Sequence, residues 1–226
     1  MKAMILAAGR GERMGELTDD LPKPMLAVGG VPMIERMINQ LAAAGIVELV
    51  INIAWQGQKL RDYLGDGSRL GVTINWSDEG PLPLGTAEGV RRALPLIGDE
   101  LFLLVNGDLI GKIGFSDLVC QQPEFAHLVL VDNPGHHPVG DFCLVDGSLA
   151  MLGTIDQALT YMGCGVYRPS LFLQNELADL GPLLKLSIEQ GLTINAQKLT
   201  GWWLDVGTPE RLRLAEQLLL KPPEQS

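Results

Sequence analysis

The chain has 226 residues, 46% hydrophobic and 19% charged, which is enough apolar content for one large packed domain and too much for compositional disorder. Its 17 basic and 27 acidic residues leave a net charge of −10, which argues against nucleic-acid or anionic-membrane binding through a broad basic face. Met1-Lys2 leads straight into a strand pattern with no signal-like segment, and no apolar run is long enough to cross a bilayer, so a soluble cytoplasmic protein is expected.

In chain order, Met4-Ile5-Leu6-Ala7-Ala8 is the short apolar run of a buried parallel strand, and it breaks into Gly9-Arg10-Gly11-Glu12-Arg13. Val31 to Ala44 puts Ile34, Met37, Ile38 and Leu41 on one helical face, with Gly45 as the C-terminal cap. Leu49–Ile53 reads as strand, Gln56–Leu64 as a short helix and Gly71–Trp76 as strand. A Gly/Pro-rich loop over 79–85 then enters a helix with Thr86 as N-cap and Glu88 in its first turn. Leu101–Val105 is a continuous apolar strand ending at Asn106-Gly107-Asp108.

The second half is less regular. Ala126–Val131 is strand-like, and 132–140 is a polar loop carrying His136-His137. Asp141–Val145 and Leu149–Leu152 suit a hairpin around Asp146-Gly147-Ser148. Tyr161–Tyr167 reads as strand, Leu183–Gln190 as helix and Leu192–Ala196 as strand. Thr208-Pro209-Glu210 starts a last helix that runs to Leu220 and stops at Pro222-Pro223. Alternating strands and helices predict an α/β fold: a doubly wound, mostly parallel mixed sheet in a single domain. Cys120, Cys143 and Cys164 are far apart and form no CxxC, so they read as buried thiols rather than a disulfide frame or zinc site.

The chemistry gathers at strand ends. Gly9 and Gly11 allow a tight turn that brings backbone N–H groups close to a ligand, and Arg13 adds a fork suited to phosphate. Lys23, between Pro22 and Pro24, is a stiffly held point charge for a second phosphate. A dinucleotide fingerprint would need a glycine where Met14 stands, and Glu48 lies past the expected acidic spacing. A P-loop fails too, because Gly80 to Gly85 is followed by Thr86-Ala87. Asp108 and Asp205 each follow an apolar run at a strand end. Either alone would serve as a turn residue, but together, facing a phosphate loop, they supply the carboxylates of a Mg²⁺ site.

Leu6-Ala7-Ala8-Gly9-Arg10-Gly11-Glu12-Arg13-Met14 and Pro22-Lys23-Pro24 resemble the opening motif of the sugar-nucleotide nucleotidyltransferases, although Gly15-Glu16-Leu17-Thr18 departs from that family's usual Arg-Pro-Leu-Thr. Val105-Asn106-Gly107-Asp108, Leu84-Gly85-Thr86-Ala87, the Tyr161–Tyr167 strand and Leu204-Asp205-Val206-Gly207-Thr208-Pro209 resemble its later motifs, in the same order. The resemblance implies a Rossmann-like nucleotidyltransferase fold, with the nucleotide on residues 1–110 and the sugar on 111–226. It implies nucleotide contacts from Ala8, Gly9, Gly11, Glu12, Arg13, Lys23, Gly85 and Thr86, and catalytic roles for Arg13, Lys23, Asp108 and Asp205. Mg²⁺ would sit on Asp108 and Asp205, and Asn106, Gly140, Asp141 and Gly165 would meet the sugar phosphate.

Val131-Asp132-Asn133-Pro134-Gly135-His136-His137 through Gly140-Asp141-Phe142 is similar to a stretch of the bacterial N-acetylmuramate 1-phosphate uridylyltransferases, a group serving peptidoglycan recycling. UTP and a sugar 1-phosphate are the partners this implies. Mannose-1-phosphate guanylyltransferase is the alternative, in which Glu79 would accept from guanine rather than cap a turn; a non-catalytic nucleotide-sugar sensor is another. Arg168 and Lys198 are the basic candidates for an anionic sugar substituent, while the two histidines read as loop-shaping residues. The chain ends soon after Lys221, which leaves no room for an appended acetyltransferase domain.

Overall fold

The computed structural model describes residues 1–153 and 158–220. Its strands are β1 (Lys2–Leu6), β2 (Ala27–Val28), β3 (Val31–Pro32), β4 (Glu48–Ile53), β5 (Thr73–Asp78), β6 (Phe102–Asn106), β7 (Leu109–Gly111), β8 (Ala126–Val131), β9 (Phe142–Val145), β10 (Ser148–Ala150), β11 (Ala158–Tyr167), β12 (Asn195–Lys198) and β13 (Trp203–Asp205). The helices are α1 (Met33–Ala43), α2 (Gly57–Leu64), α3 (Thr86–Ile97), α4 (Phe115–Val119), α5 (Leu180–Glu189) and α6 (Pro209–Leu220). Nine strands form one sheet in the order β5-β4-β1-β6-β11-β8-β12-β10-β9. β5, β4, β1 and β6 are mutually parallel, as is the β8–β12 pair, and the remaining pairings are antiparallel. The fold is therefore α/β with a mixed sheet, its parallel character concentrated in the first half.

Period-2 alternation along the central strands divides the core. Ala3, Ile5, Leu49, Ile51, Leu103 and Val105 pack with Ile34, Met37 and Leu41 of α1, Leu60 of α2 and Phe115 and Leu118 of α4. Met4, Val50, Phe102 and Leu104 point to the other face, against Ala87, Val90 and Ala93 of α3 and Leu183 and Leu184 of α5. A third cluster (Met14, Leu26, Val28, Met33, Ile110, Val206 and Ala215) lies under the glycine loop and fixes it to the β7–β13 ribbon and α6.

Local sequence signals act as their chemistry requires. Gly45 (φ +81) ends α1 in a Schellman motif: its N–H donates to the Ala42 carbonyl and that of Ile46 to Leu41, both at 2.9 Å. Asp146 (φ +47) and Gly147 (φ +78) turn the β9–β10 hairpin. The Arg211 N–H reaches the Thr208 hydroxyl at 3.4 Å at the start of α6. The helix stop expected at Pro222-Pro223 lies outside the described residues.

Several boundaries and placements differ from expectation. β5 and β12 sit two or three residues later than their apolar runs suggest, because pairing with β4 and β8 sets their extent. Val31 and Pro32 belong to the β2–β3 ribbon rather than to α1. Thr86 is the first residue of α3, not its cap. Gly85 holds the cap position at φ +95, and the Ala178 carbonyl accepts from the Ala87 and Glu88 N–H groups at 2.7 and 3.1 Å. Cys143 and Cys164 are buried, but Cys120, at the end of α4, is exposed.

The ends of β1 and β4 are joined by a buried polar relay. The Asn52 side-chain carbonyl accepts from the Ala7 N–H at 2.7 Å, and its amide donates to Glu79 Oε1 at 2.7 Å. Glu79 Oε2 accepts from the Leu84 N–H at 2.9 Å, which closes the loop of residues 80–84. Asn52→Leu strands a buried N–H and half of a buried carboxylate. It is expected to cost about 3 kcal/mol, a Tm fall of about 6–12 °C by calorimetry. An unchanged Tm would show that the relay contributes nothing to stability.

Candidate active site

The glycine loop leaves β1 and turns at Gly11, which has φ +71. A Cβ there would lie 2.9 Å from the Cβ of Lys23, so a glycine is needed to let the lysine segment approach. The Gly11 carbonyl accepts from the Met14 N–H at 2.8 Å and the Thr18 hydroxyl at 3.0 Å. These bonds leave Glu12 and Arg13 exposed at the head of the following 3-10 turn. Lys23 opens a second 3-10 turn, between its two prolines, and its ammonium is ion-paired with Asp108 Oδ2.

Asp108 reaches this position through Gly107. The Gly107 N–H donates to the Leu6 carbonyl at 2.9 Å, and a Cβ on Gly107 would stand 2.8 Å from that same oxygen. β7 then pairs antiparallel with β13, setting Asp205 opposite Leu109, and the Val206 N–H donates to the Asp108 carbonyl at 2.9 Å. Asp108, in the turn before β7, and Asp205, at the end of β13, are thereby held side by side although almost a hundred positions apart. Asp108 Oδ1 is buried with no hydrogen-bond partner. Asp205 Oδ1 accepts from Arg211 Nη1 at 2.5 Å.

This donor set fits a hard divalent cation. It offers carboxylate oxygen alone, and one of those oxygens is buried and unsatisfied. Among the described residues no group of three or more His, Cys, Asp or Glu side chains is placed to hold a metal. The missing ligands are of the kind Mg²⁺ ordinarily takes from phosphate and water.

Two adjoining cavities open here. The first, about 510 Å³, is lined by Ala8, Gly9, Gly11, Glu12, Arg13, Lys23, Gly85, Thr86, Asn106 and Asp108 among others. The second, about 490 Å³, is lined by His136, His137, Asp141, Tyr161, Gly163, Asp179, Trp203 and Asp205 among others. Arg13, Thr86 and Asn106 line both, and each cavity takes one of the two carboxylates.

The structure brings every candidate residue to these cavities except Gly140, Gly165, Arg168 and Lys198. Gly165 is packed inside the sheet, where a Cβ would stand 2.8 Å from the His127 carbonyl. A register shift between Tyr161 and Gly165 instead puts Gly163 (φ +84) on the cavity wall, against the Asn106 side chain. Gly140 (φ +73) lies against Asn133, away from both cavities. Asp141 lines the second cavity, but its carboxylate is engaged: Oδ2 accepts from the Tyr161 N–H at 2.9 Å and Oδ1 lies 3.1 Å from His137 Nε2. Arg168 donates to the Glu124 and Pro123 carbonyls, and Lys198 pairs with Asp132 at 2.7 Å, so neither basic candidate faces the site.

Sequence reasoning missed Arg211, which lies one turn into α6 on Asp205, and Asn52, which sits at a strand end with no motif around it. The start signal Thr208-Pro209-Glu210 could have located Arg211, since it places that residue on the first turn of a helix that follows the strand ending at Asp205.

The chain's residues 2–146 match the sequence model described as "Nucleotidyl transferase". The chain belongs to the nucleotidyl transferase family. It is 48% identical over 227 residues to the N-acetylmuramate alpha-1-phosphate uridylyltransferase of Neisseria meningitidis serogroup B, covering 96% of this chain and 98% of that protein. It is 29% identical to a probable mannose-1-phosphate guanylyltransferase of Oryza sativa, covering 92% of this chain and 62% of the relative. A crystal structure of UDP-glucose pyrophosphorylase complexed with UDP-glucose superposes with a TM-score of 0.78 at 17% identity, over 99% of this chain and 100% of that one, which shows the shared fold. No helix among the described residues of this nucleotidyltransferase is long and apolar enough to cross a membrane.

Gly11→Ala tests the cradle. The added methyl conflicts with both φ +71 and the Lys23 side chain. A displacement of the lysine by about 1 Å is expected to lower kcat/KM about 10²-fold. Steady-state kinetics of the folded variant reads this directly; kcat/KM within a factor of about 3 of wild type, well short of that loss, would show that the approach of Gly11 to Lys23 does not position it.

Proposed function

We propose that this nucleotidyltransferase joins UTP to N-acetylmuramate α-1-phosphate, giving the UDP-sugar and pyrophosphate. The observation that carries the substrate pair is the 48% identity across nearly the whole chain to an enzyme of that name, together with the paired cavities that meet at Arg13, Thr86 and Asn106. In this reading the first cavity takes the nucleotide and the second the sugar phosphate.

An oxygen of the sugar phosphate attacks the α-phosphorus in line. The bond to the pyrophosphate oxygen breaks and pyrophosphate leaves, so no protein nucleophile is required. Gly9 and Gly11 hold the triphosphate against the loop backbone, and Arg13, lining both cavities, counters charge on the departing pyrophosphate. Lys23 neutralises the α-phosphoryl group and steers the incoming anion; its ion pair with Asp108 already aims it at the junction. Asp108 and Asp205 are the carboxylates for Mg²⁺, which when bound supplies positive charge to both phosphates. Asn106, between the cavities, and Thr86 orient the substrates.

The geometry also bears on the base. Both oxygens of Glu79 already accept from protein groups, Asn52 and the Leu84 N–H. That engagement supports the turn-capping role of Glu79.

Asp108→Asn and Asp205→Asn are each expected to lower turnover with Mg²⁺ at least ~10²-fold, since even outer ligand contacts carry ~10–100-fold. Pyrophosphate release from each variant, with circular dichroism to confirm folding, checks this; near-normal rates would overturn the metal assignment. For the substrates, UTP and GTP should each be tested with the 1-phosphates of N-acetylmuramate, mannose, glucose and N-acetylglucosamine. UTP with N-acetylmuramate 1-phosphate is expected to give the highest kcat/KM. GTP with mannose 1-phosphate leading would replace the uridylyl reading by the guanylyl one.

A further inference from the structure

Arg211 is placed unusually for a helix residue. Its side chain is 12% exposed, and its Nη1 donates to Asp205 Oδ1 at 2.5 Å and to His136 Nε2 at 2.8 Å. The guanidinium lies across Gly207, where a Cβ would collide with it, and a Cβ there would also stand 3.2 Å from Arg13 Nη2. Two guanidinium groups thus converge on one glycine in the wall of the first cavity, while the two partners of Arg211, Asp205 and His136, line the second. When a cation claims Asp205, Arg211 loses its partner while remaining beside Arg13. A pair of forks left in that state needs an oxyanion, and the cavity lined by Arg13, His136 and Asp205 is the one read above as the sugar site.

We propose that Arg211 is a positioning residue that guards Asp205 in the ligand-free enzyme and passes it to the divalent cation, then turns to an oxyanion of the sugar substrate. The substrate part of this inference rests on the function proposed above; the cation part does not. The arrangement couples the two ligands. A cation on Asp205 releases the arginine, and a released arginine favours the anionic sugar, so each ligand raises the affinity for the other. His136 holds the guanidinium from the loop side, which keeps its swing within the cavity mouth.

The opposing view is that Arg211 simply orients Asp205 as a metal ligand. The two views give opposite signs. The test is titration of the nucleotide-free and sugar-free protein with Mn²⁺, followed by the EPR signal of the free ion, for wild type, Arg211→Gln and Arg211→Lys. Removing the competing charge is expected to tighten Mn²⁺ binding about 10-fold, the scale of one charge-assisted hydrogen bond. In steady-state assays Arg211→Gln is expected to raise KM for the sugar phosphate about 10-fold with KM for UTP little changed. Arg211→Lys keeps the charge without the fork and is expected to fall between, so it also serves as the readout if the glutamine variant does not fold.

A rise in KM for N-acetylmuramate and N-acetylglucosamine 1-phosphates alike identifies the phosphate as the oxyanion. A rise for the first alone identifies the carboxylate. Mn²⁺ affinity that is unchanged or weaker in the variants, or an unchanged KM for the sugar phosphate, overturns the proposal. If wild type prefers another substrate pair, the KM comparison is made with that pair, so failure of the substrate reading is seen in wild type and failure of this one in the variants.

Discussion

Placing two carboxylates at the neighbouring ends of a strand and a turn in a cleft mouth costs Coulombic repulsion, and the site depends on how that cost is met. Lys23 pairs with Asp108, and Arg211 pairs with Asp205. Each acid therefore arrives with its own counter-charge, carried on a segment that the strands do not supply: a proline-flanked turn in one case and the first turn of α6 in the other. One oxygen, Asp108 Oδ1, is left out of this compensation. A buried carboxylate oxygen with no donor is unfavourable unless a ligand completes it, so the imbalance points at the bound state rather than the free one.

The scaffold that holds these charges follows from simple alternation. Odd and even positions of β1, β4 and β6 divide between two helix-covered faces, which leaves the strand ends as the place where backbone and side chains can meet a ligand. The glycine loop, Asn52 and Asp108 all occupy such ends. The β7–β13 ribbon adds what the main sheet cannot. It brings a residue from the last quarter of the chain next to one from the middle, and the third apolar cluster ties that ribbon to the glycine loop.

That division explains what could be read from sequence. The glycine loop, Lys23, Asp108 and Asp205 lie in short motif stretches, and the fold brings all of them to the two cavities; the apolar periodicity gives the helices and the parallel strands. Gly165 and Gly140 misled because both sit near the right places in sequence, while a bulge in β11 selects Gly163 and leaves Gly165 packed between strands. No periodicity announces a bulge of that kind. Arg168 and Lys198 misled for a related reason. Basic residues near a motif are cheap to imagine in a pocket, but backbone carbonyls and Asp132 hold them elsewhere. Asn52 was illegible because its partner Ala7 lies far away in the chain, whereas Arg211 stood close to a helix-start signal and only its His136 contact was out of reach.

The net charge of −10 makes a further demand on this site, because every substrate proposed for it is an anion. Long-range steering by net charge would work against binding, so attraction must be local and must come from low-dielectric walls that concentrate the field. Arg10, Arg13 and Lys23 line the first cavity, and Arg13 extends into the second, where Arg211 stands at the rim on Asp205. Arg10 is held over the Trp55 ring at 4.7 Å, and Glu12 is no nearer to it than 3.9 Å, so its charge is supported by an aromatic face as much as by an acid. Several acids that line the cavities are engaged, Glu79 on the loop relay, Asp108 on Lys23, Asp205 on Arg211 and Asp141 on Tyr161 and His137, while Glu12 and Asp179 complete the lining. What an approaching phosphate meets is thus a set of local donors, the guanidinium groups of Arg10 and Arg13 beside the paired Lys23, inside a negative molecule. Because the net charge repels at long range, attraction of an anion has to come from these donors at contact distance and from any cation held by Asp108 and Asp205.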